Sequence, residues 1–225
     1  MFRRYAVFVT PRPGPLAAFG ASWLGWDIAS GRAVPHPDVE GVDVALTTET
    51  PRKYGFHGTI KPPFRLSDDA TVDALQVRLA ALCATKKAAT LDGLALGKMG
   101  GFLALLPVGD VELLTRLASA VVQDLDIFRA PPSEAELAQR RRNGLTSAQE
   151  SNLQNWGYPF VLDCFRFHMT LTGRLKRSQI APVKIALSNL VVPVLPVPFT
   201  IDSLTLCGEA EDGYFHEVCR YPLSR

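Results

Sequence analysis

Gly55 to Phe64 reads GFHGTIKPPF and places a titratable ring, His57, inside what otherwise has the composition of a buried strand. Side chains at i and i+2 of a strand share a face, so His57 and Thr59 point together while Gly58 points away. A lone histidine in such a setting is commonly a hydrogen-bonded core group. The pattern returns, however, in FRFHMTLTGRL, Phe165 to Leu175, where His168 and Thr170 repeat the spacing after a phenylalanine and before a basic stretch. Thr172 falls on the same face by the same parity. Threonine occupies 14 of 225 positions, so two of four histidines preceding a threonine at this spacing is about a 2% coincidence.

Around these two strands, apolar runs of period 2 alternate with runs near period 3.6. RYAVFVTP predicts a first strand and PLAAFGASWLGWD a helix opened by proline, while residues 31–50 read as a polar excursion rich in glycine and proline. After the His57 strand come a helix over about 69–86, two strands joined through glycine (ATLDGLALGKM and GFLALLP), and a helix over 110–125 with Asp110 as N-cap. The second half replays this order: the His168 strand, a helix over about 178–190, then PFTIDSLTLCGE and GYFHEVCRYPL as a hairpin. The expected fold class is therefore α+β: one bilobal domain over 1–225, with two antiparallel sheets related by a pseudo-twofold, facing a central cleft and carrying helices outside. Between the halves, residues 131–159 stand outside the repeat. Ser133 with Glu136 and Thr146 with Gln149 form two capping-box patterns separated by Gly144, which predicts an inserted helical hairpin. Its run Arg140–Arg142 reads as a solvated face, with a lid reaching the substrate as the alternative.

Composition bounds the function only loosely. A hydrophobic fraction of 47% and a charged fraction of 20% are ordinary for a globular chain. A formal charge of +2 is too small to announce a nucleic-acid coat. No window approaches the roughly 18 uninterrupted apolar residues of a membrane helix, and the apolar run near the amino terminus stops at Pro11, short of a secretory core. Cys83, Cys164, Cys207 and Cys219 show no close pairing, which fits reduced thiols in the cytoplasm. No cofactor or metal is expected, because neither His57 nor His168 has a second histidine or an acid at ligand spacing.

Two imidazoles facing one cleft can divide the work of general base and general acid near neutral pH. A threonine hydroxyl beside each, stiffened by its β-branch, can donate to the oxygens of an anion. Phosphodiester cleavage needs this set: one group to deprotonate the attacking oxygen, one to protonate the leaving oxygen, and donors for the non-bridging oxygens. The competing reading makes both histidines core residues bonded to backbone carbonyls. Parity also puts Lys61 on the His57 face, provided Pro62 leaves the strand straight, and Arg166 and Arg174 on the His168 face, a basic rim for phosphate. Tyr5 and Tyr54 are candidates to stack on a sugar or base.

Two H-x-T motifs, one per half of a chain this size, resemble the two-histidine (2H) phosphoesterase superfamily. The longer strings PRKYGFHGTIKPPFRL, FRAPPSEAEL and NWGYPFVLDCFRFHMTLTGRL are similar to one branch described as a phosphonate metabolism protein and found with carbon-phosphorus lyase genes. The resemblance runs through nearly the whole chain. It implies a bilobal fold, metal-independent phosphoester chemistry, and His57, Thr59, His168 and Thr170 as the active residues. The expected activity is opening of a small cyclic phosphodiester in phosphonate breakdown. The alternatives are 2′,3′-cyclic phosphate processing on RNA or nucleotides, and a catalytically silent phosphate-ligand binder. The expected partner is a small phosphorylated substrate, with an RNA end less favoured and no membrane.

Overall fold

The computed structural model describes residues 2–142 and 144–224. The chain runs β1 (Arg4–Val9), α1 (Pro15–Leu24), β2 (Trp26–Asp27), β3 (Arg32–Ala33), α2 (Val44–Arg52), β4 (Gly58–Phe64), α3 (Val72–Thr85), β5 (Ala89–Leu91), β6 (Gly93–Met99) and β7 (Phe102–Val108). It continues with α4 (Glu112–Asp124), α5 (Glu134–Arg141), α6 (Ser147–Trp156), β8 (Met169–Thr170), α7 (Arg177–Val191), β9 (Phe199–Ile201), β10 (Ser203–Glu209) and β11 (Phe215–Pro222). No helix among the described residues is long and apolar enough to cross a membrane.

Most elements start and stop where local chemistry dictates. Proline opens α1, and Gly25 in the left-handed region closes it. Both expected capping boxes form: Ser133 with Glu136 on α5 and Thr146 with Gln149 on α6. Asp110 lies two residues before α4, yet its carboxylate still accepts from the Glu112 N–H at 2.8 Å. The polar stretch that reads as a loop contains α2, whose N-cap Asp43 accepts from the Leu46 N–H. Its polar composition hides a helix held by packing against α1 rather than by a long apolar stripe.

The fold is α+β with antiparallel sheets, as expected, but the strands are shared between the halves differently. Seven strands form one sheet in the order β11-β10-β1-β4-β8-β7-β6. The part β11-β10-β1-β4 holds the first motif, and β8-β7-β6 holds the second. Each hairpin therefore serves the opposite motif from the one it follows in sequence: β6 and β7, which come after β4, pair on to β8, whereas β10 and β11, which come after β8, reach β4 through β1. The element order read from the sequence does not specify this exchange. Strand parity specifies which face a residue takes and says nothing about which distant edge accepts a hairpin. The two parts join where Gly58 pairs with Met169, the single residue pair of the β4–β8 ladder.

One face of the sheet is covered by α3, α4 and α7. Tyr5, Val7 and Val9 of β1 meet Leu75, Leu79, Leu117 and Leu187 there in the main core. The other face carries a smaller apolar cluster around Ala6, Phe8, Cys207 and Phe215, with Tyr54 packed on it. This second face is where both H-x-T motifs look out. Its floor is apolar on the β1 side and open to solvent over the β4–β8 seam.

Candidate active site

The pairing of Gly58 with Met169 determines the site geometry. In an antiparallel ladder the neighbours of a pair lie opposite one another in reverse order. His57 is thereby set beside Thr170, and Thr59 beside His168, all four on the face away from the helices. The motifs form a four-cornered patch with a histidine and a threonine from each strand, and directly opposed side chains in such a ladder sit about 5 Å apart.

Both rings are anchored alike. His57 Nδ1 lies 2.9 Å from the Gly55 carbonyl oxygen, and His168 Nδ1 lies 2.8 Å from the Arg166 carbonyl oxygen. A carbonyl only accepts, so Nδ1 carries the hydrogen in both rings and Nε2 is left to face the cleft. Gly55 makes this possible at His57: its φ is +68°, and a Cβ there would stand 2.6 Å from Ile28. The Thr59 hydroxyl lies 3.1 Å from His57 Nε2 and donates to it. His168 Nε2 has no hydrogen-bond partner among the described residues.

The two environments differ. His57 packs flat over Phe8, with ring centroids 3.8 Å apart, and lies beside Tyr54 at 6.1 Å. Burial holds its pKa down to about 4; the Gly55 hydrogen bond opposes the shift, and the nearby His168 adds to it. The neutral, lone-pair-bearing ring is therefore the one in the apolar pocket. His168 sits nearer the surface with Phe102 at 5.7 Å.

The patch opens into a cleft of about 330 Å³ lined by His57, Thr59 and Thr170 together with Tyr54, Thr172 and Arg174. Tyr54 stacks on Phe215 at 5.1 Å and presents its ring beside His57. Arg174 crosses the glycine turn at Gly101 and is exposed at the rim. Thr172 is buried and, although expected among the substrate contacts, has its only hydroxyl hydrogen committed to the Gly173 carbonyl at 2.8 Å, while the oxygen accepts from the Leu103 N–H at 3.0 Å.

Three expected contacts lie elsewhere. Lys61 is 2% exposed and points to the helix side, where its ammonium donates to the Val122 carbonyl at 3.0 Å and lies 3.5 Å from Asp126. The β1–β4 register slips between Phe8↔Thr59 and Val7↔Lys61. This bulge, ahead of Pro62 and Pro63, reverses the parity on which the placement depended. Tyr5 is buried in the main core, because β1 alternates with Phe8, not Tyr5, on the cleft face. Arg166 lies outside the cleft beside Phe165 and Phe167, and it serves the site through its carbonyl.

Other cleft residues were not legible in the sequence. Arg4, Phe8, Phe102 and Tyr158 all line it. Alternation in β1 puts Arg4 and Phe8 on a common face, but only the pairing of Phe8 with Thr59 shows that this is the motif face. Arg140, expected on a solvated face, also lines the cleft. The inserted hairpin thus contributes a wall to the site.

Residues 59–216 match the family described as "Protein of unknown function (DUF1045)". A relative from Janthinobacterium sp. (strain Marseille), named ribose 1,5-bisphosphate phosphokinase PhnN, is 39% identical over 230 residues, covering 98% of this chain and 51% of the relative. A relative of the same name from Laribacter hongkongensis (strain HLHK9) is 32% identical over 219 residues, covering 96% and 51%. The chain spans about half the length of these curated relatives. Among solved structures, E. coli LigT complexed with phosphate aligns over 100% of this chain and 99% of its own at 12% identity, with a TM-score of 0.46. TT0787 of Thermus thermophilus aligns over 98% and 97% at 14% identity, also with a TM-score of 0.46. The family match takes in β4 from Thr59 onward, the inserted hairpin and the whole His168 motif, and the chain belongs to the DUF1045 family.

Proposed function

We propose that this chain is a phosphoesterase that opens a small cyclic phosphodiester by two-histidine acid-base catalysis, and that it works in phosphonate breakdown. The observation that carries the proposal is the antiparallel pairing of the two H-x-T tripeptides about Gly58 and Met169, which sets both histidines and both threonines side by side on one face of the sheet, with His57, Thr59 and Thr170 lining the cleft and His168 at its edge beside Thr59. A lone core histidine needs no such partner across a seam.

The two environments support a division of roles. His57, neutral at physiological pH, takes the proton of an attacking water at Nε2 while its Nδ1–H stays on the Gly55 carbonyl. The water oxygen bonds to phosphorus as the bond to the ring oxygen opposite breaks. His168, protonated at Nε2 with Nδ1–H held by the Arg166 carbonyl, gives its proton to that leaving oxygen. The phosphomonoester product leaves His57 protonated and His168 neutral, and proton exchange with solvent resets the pair. With substrate bound, the Thr59 hydroxyl turns from His57 Nε2 to a non-bridging oxygen and leaves that nitrogen to the water, Thr170 donates to the other oxygen, and Arg174 at the rim compensates their charge. Each step is assigned to side chains alone.

The relatives' name supports a compact sugar phosphate as the substrate class. Their kinase activity is not proposed for this chain, whose residues contain no G-x-x-x-x-G-K-[ST] run to cradle a nucleotide triphosphate. The test is turnover by purified protein of ribose 2,3-cyclic phosphates, 2′,3′-cyclic nucleotides and short RNA with a 2′,3′-cyclic end, followed by phosphorus NMR. The expected result is monoester formation from the small diesters, lost in His57→Ala and His168→Ala. Preference for the RNA end points to the nucleic-acid reading. Binding without turnover of any of the three points to a silent ligand binder.

A further inference from the structure

The end of the cleft nearest the inserted hairpin holds, among the described residues, one unpaired positive charge, on Arg140, that the proposed chemistry at the H-x-T patch does not use. Arg4 from β1, Arg140 from α5, and the phenols Tyr54 and Tyr158 all line it. The acids nearby are already engaged: Glu209 holds Arg4, Glu136 pairs with Arg65 at 3.0 Å, and Asp126 pairs with Arg129 at 2.7 Å. Arg140 has no carboxylate partner among the described residues. Its guanidinium lies over the Tyr158 ring at 4.6 Å, a contact that fixes its direction and leaves its N–H fork free. Tyr54 spans the distance between the two ends, with its ring beside His57 and in the same cleft as Arg4.

We propose that Arg140, Tyr158, Tyr54 and Arg4 form a second anion subsite, and that the substrate of the H-x-T patch is a compact phosphodiester carrying a separate phosphomonoester. A guanidinium fork and two phenolic O–H groups offer donors to the three terminal oxygens of a monoester, and the unpaired charge of Arg140 offsets part of its negative charge. The reacting diester, with a single negative charge, has its own donors at the seam. The subsite explains why residues 131–159 interrupt the two halves: α5 brings to the cleft a cation that neither half contains. Arg140 is a substrate-positioning residue and takes no part in proton transfer.

The inference rests on the proposed function for its substrate and is tested so that the two separate. The probes are methyl ribofuranoside 2,3-cyclic phosphate and the same compound with a 5-phosphate, given to the full chain. The 5-phosphate should raise kcat/KM about tenfold to a hundredfold, the range of a charge-assisted contact, mainly through KM. In Arg140→Gln the ratio of the two kcat/KM values should fall towards one, and Tyr158→Phe should give an intermediate ratio. If neither probe is turned over, calorimetry reads the same ratio as binding. A 5-phosphate preference that Arg140→Gln removes would then uphold the subsite while the phosphoesterase reading fails. A wild-type ratio near one, a preference that survives Arg140→Gln, or no binding of the 5-phosphorylated probe at millimolar concentration overturns the subsite.

Discussion

Gly58 lies directly opposite Met169, and this pair alone joins β4 to β8. A Cβ on Gly58 would fall 2.4 Å from the ring of Phe167, which is itself buried in the main core. The smallest residue is therefore needed where the two parts of the sheet meet, because the aromatic side chain preceding His168 fills the space a side chain would take. The seam that joins the two motifs thus has no room for a side chain on Gly58.

Gly58→Ala should destabilise the protein by about 1 to 3 kcal/mol, the usual cost of forcing a group into a filled core. It should also lower kcat beyond what the lost stability explains, since displacing Phe167 moves His168. Denaturant unfolding beside turnover at a temperature where the variant is fully folded checks both. Wild-type kcat in a destabilised Gly58→Ala would show that the seam does not position the site.

His57→Ala and His168→Ala should each reduce kcat by about 10² to 10⁴, the range of general acid-base help, with much smaller changes in KM. Thr59→Val and Thr170→Val, which keep the side-chain shape and remove the donor, should cost about 10² in kcat. Incubation with EDTA should leave the wild-type rate unchanged. Loss of activity restored by a divalent ion would contradict the assignment of each step to side chains.

The acid limb of the pH profile should lie low. Burial holds His57 neutral in the folded protein down to about pH 4, so a base-dependent limb in kcat/KM should fall only near that pH and not near the ordinary histidine value of about 6.5. Stability follows the same group: between about pH 6.5 and 4 the unfolded chain binds a proton that the folded state refuses, so folding weakens as pH falls through that window. Urea unfolding of wild type against His57→Gln across the window isolates the contribution, which should be absent from the variant.

Lys61, which strand parity assigns to the substrate, should prove unnecessary for turnover. Its pKa is lowered to about 8, first by burial, with Asp126 opposing the shift. Between about pH 8 and 10.5 the unfolded chain keeps a proton that the folded chain gives up, so this residue contributes stability that grows with pH. Lys61→Met should retain kcat within a few-fold and lose that rise. A large drop in kcat with unchanged folding would return Lys61 to the site.

Replacing residues 134–156 by a short glycine-serine linker should lower kcat/KM for small diesters and improve access of longer RNA, because the hairpin supplies a wall of the cleft through Arg140. An unchanged substrate preference in a folded truncation would reduce the hairpin to a buttress.

Local chemistry was legible from the sequence by itself. The H-x-T spacing put each threonine on its histidine's face, because strand parity is a property of consecutive residues. The two capping boxes and the proline opening α1 likewise depend on residues within a turn of one another. The tertiary structure decided everything that depends on which distant segments pair. It exchanged the hairpins between the two parts of the sheet, set the motifs against one another through Gly58 and Met169, and turned Lys61 to the helix side by a slip in register. It also brought Arg4 and Arg140 into one cleft from positions far apart in the chain. Neither a bulge nor a hairpin's choice of edge leaves a period in the sequence, because each follows from how side chains fill the space between elements.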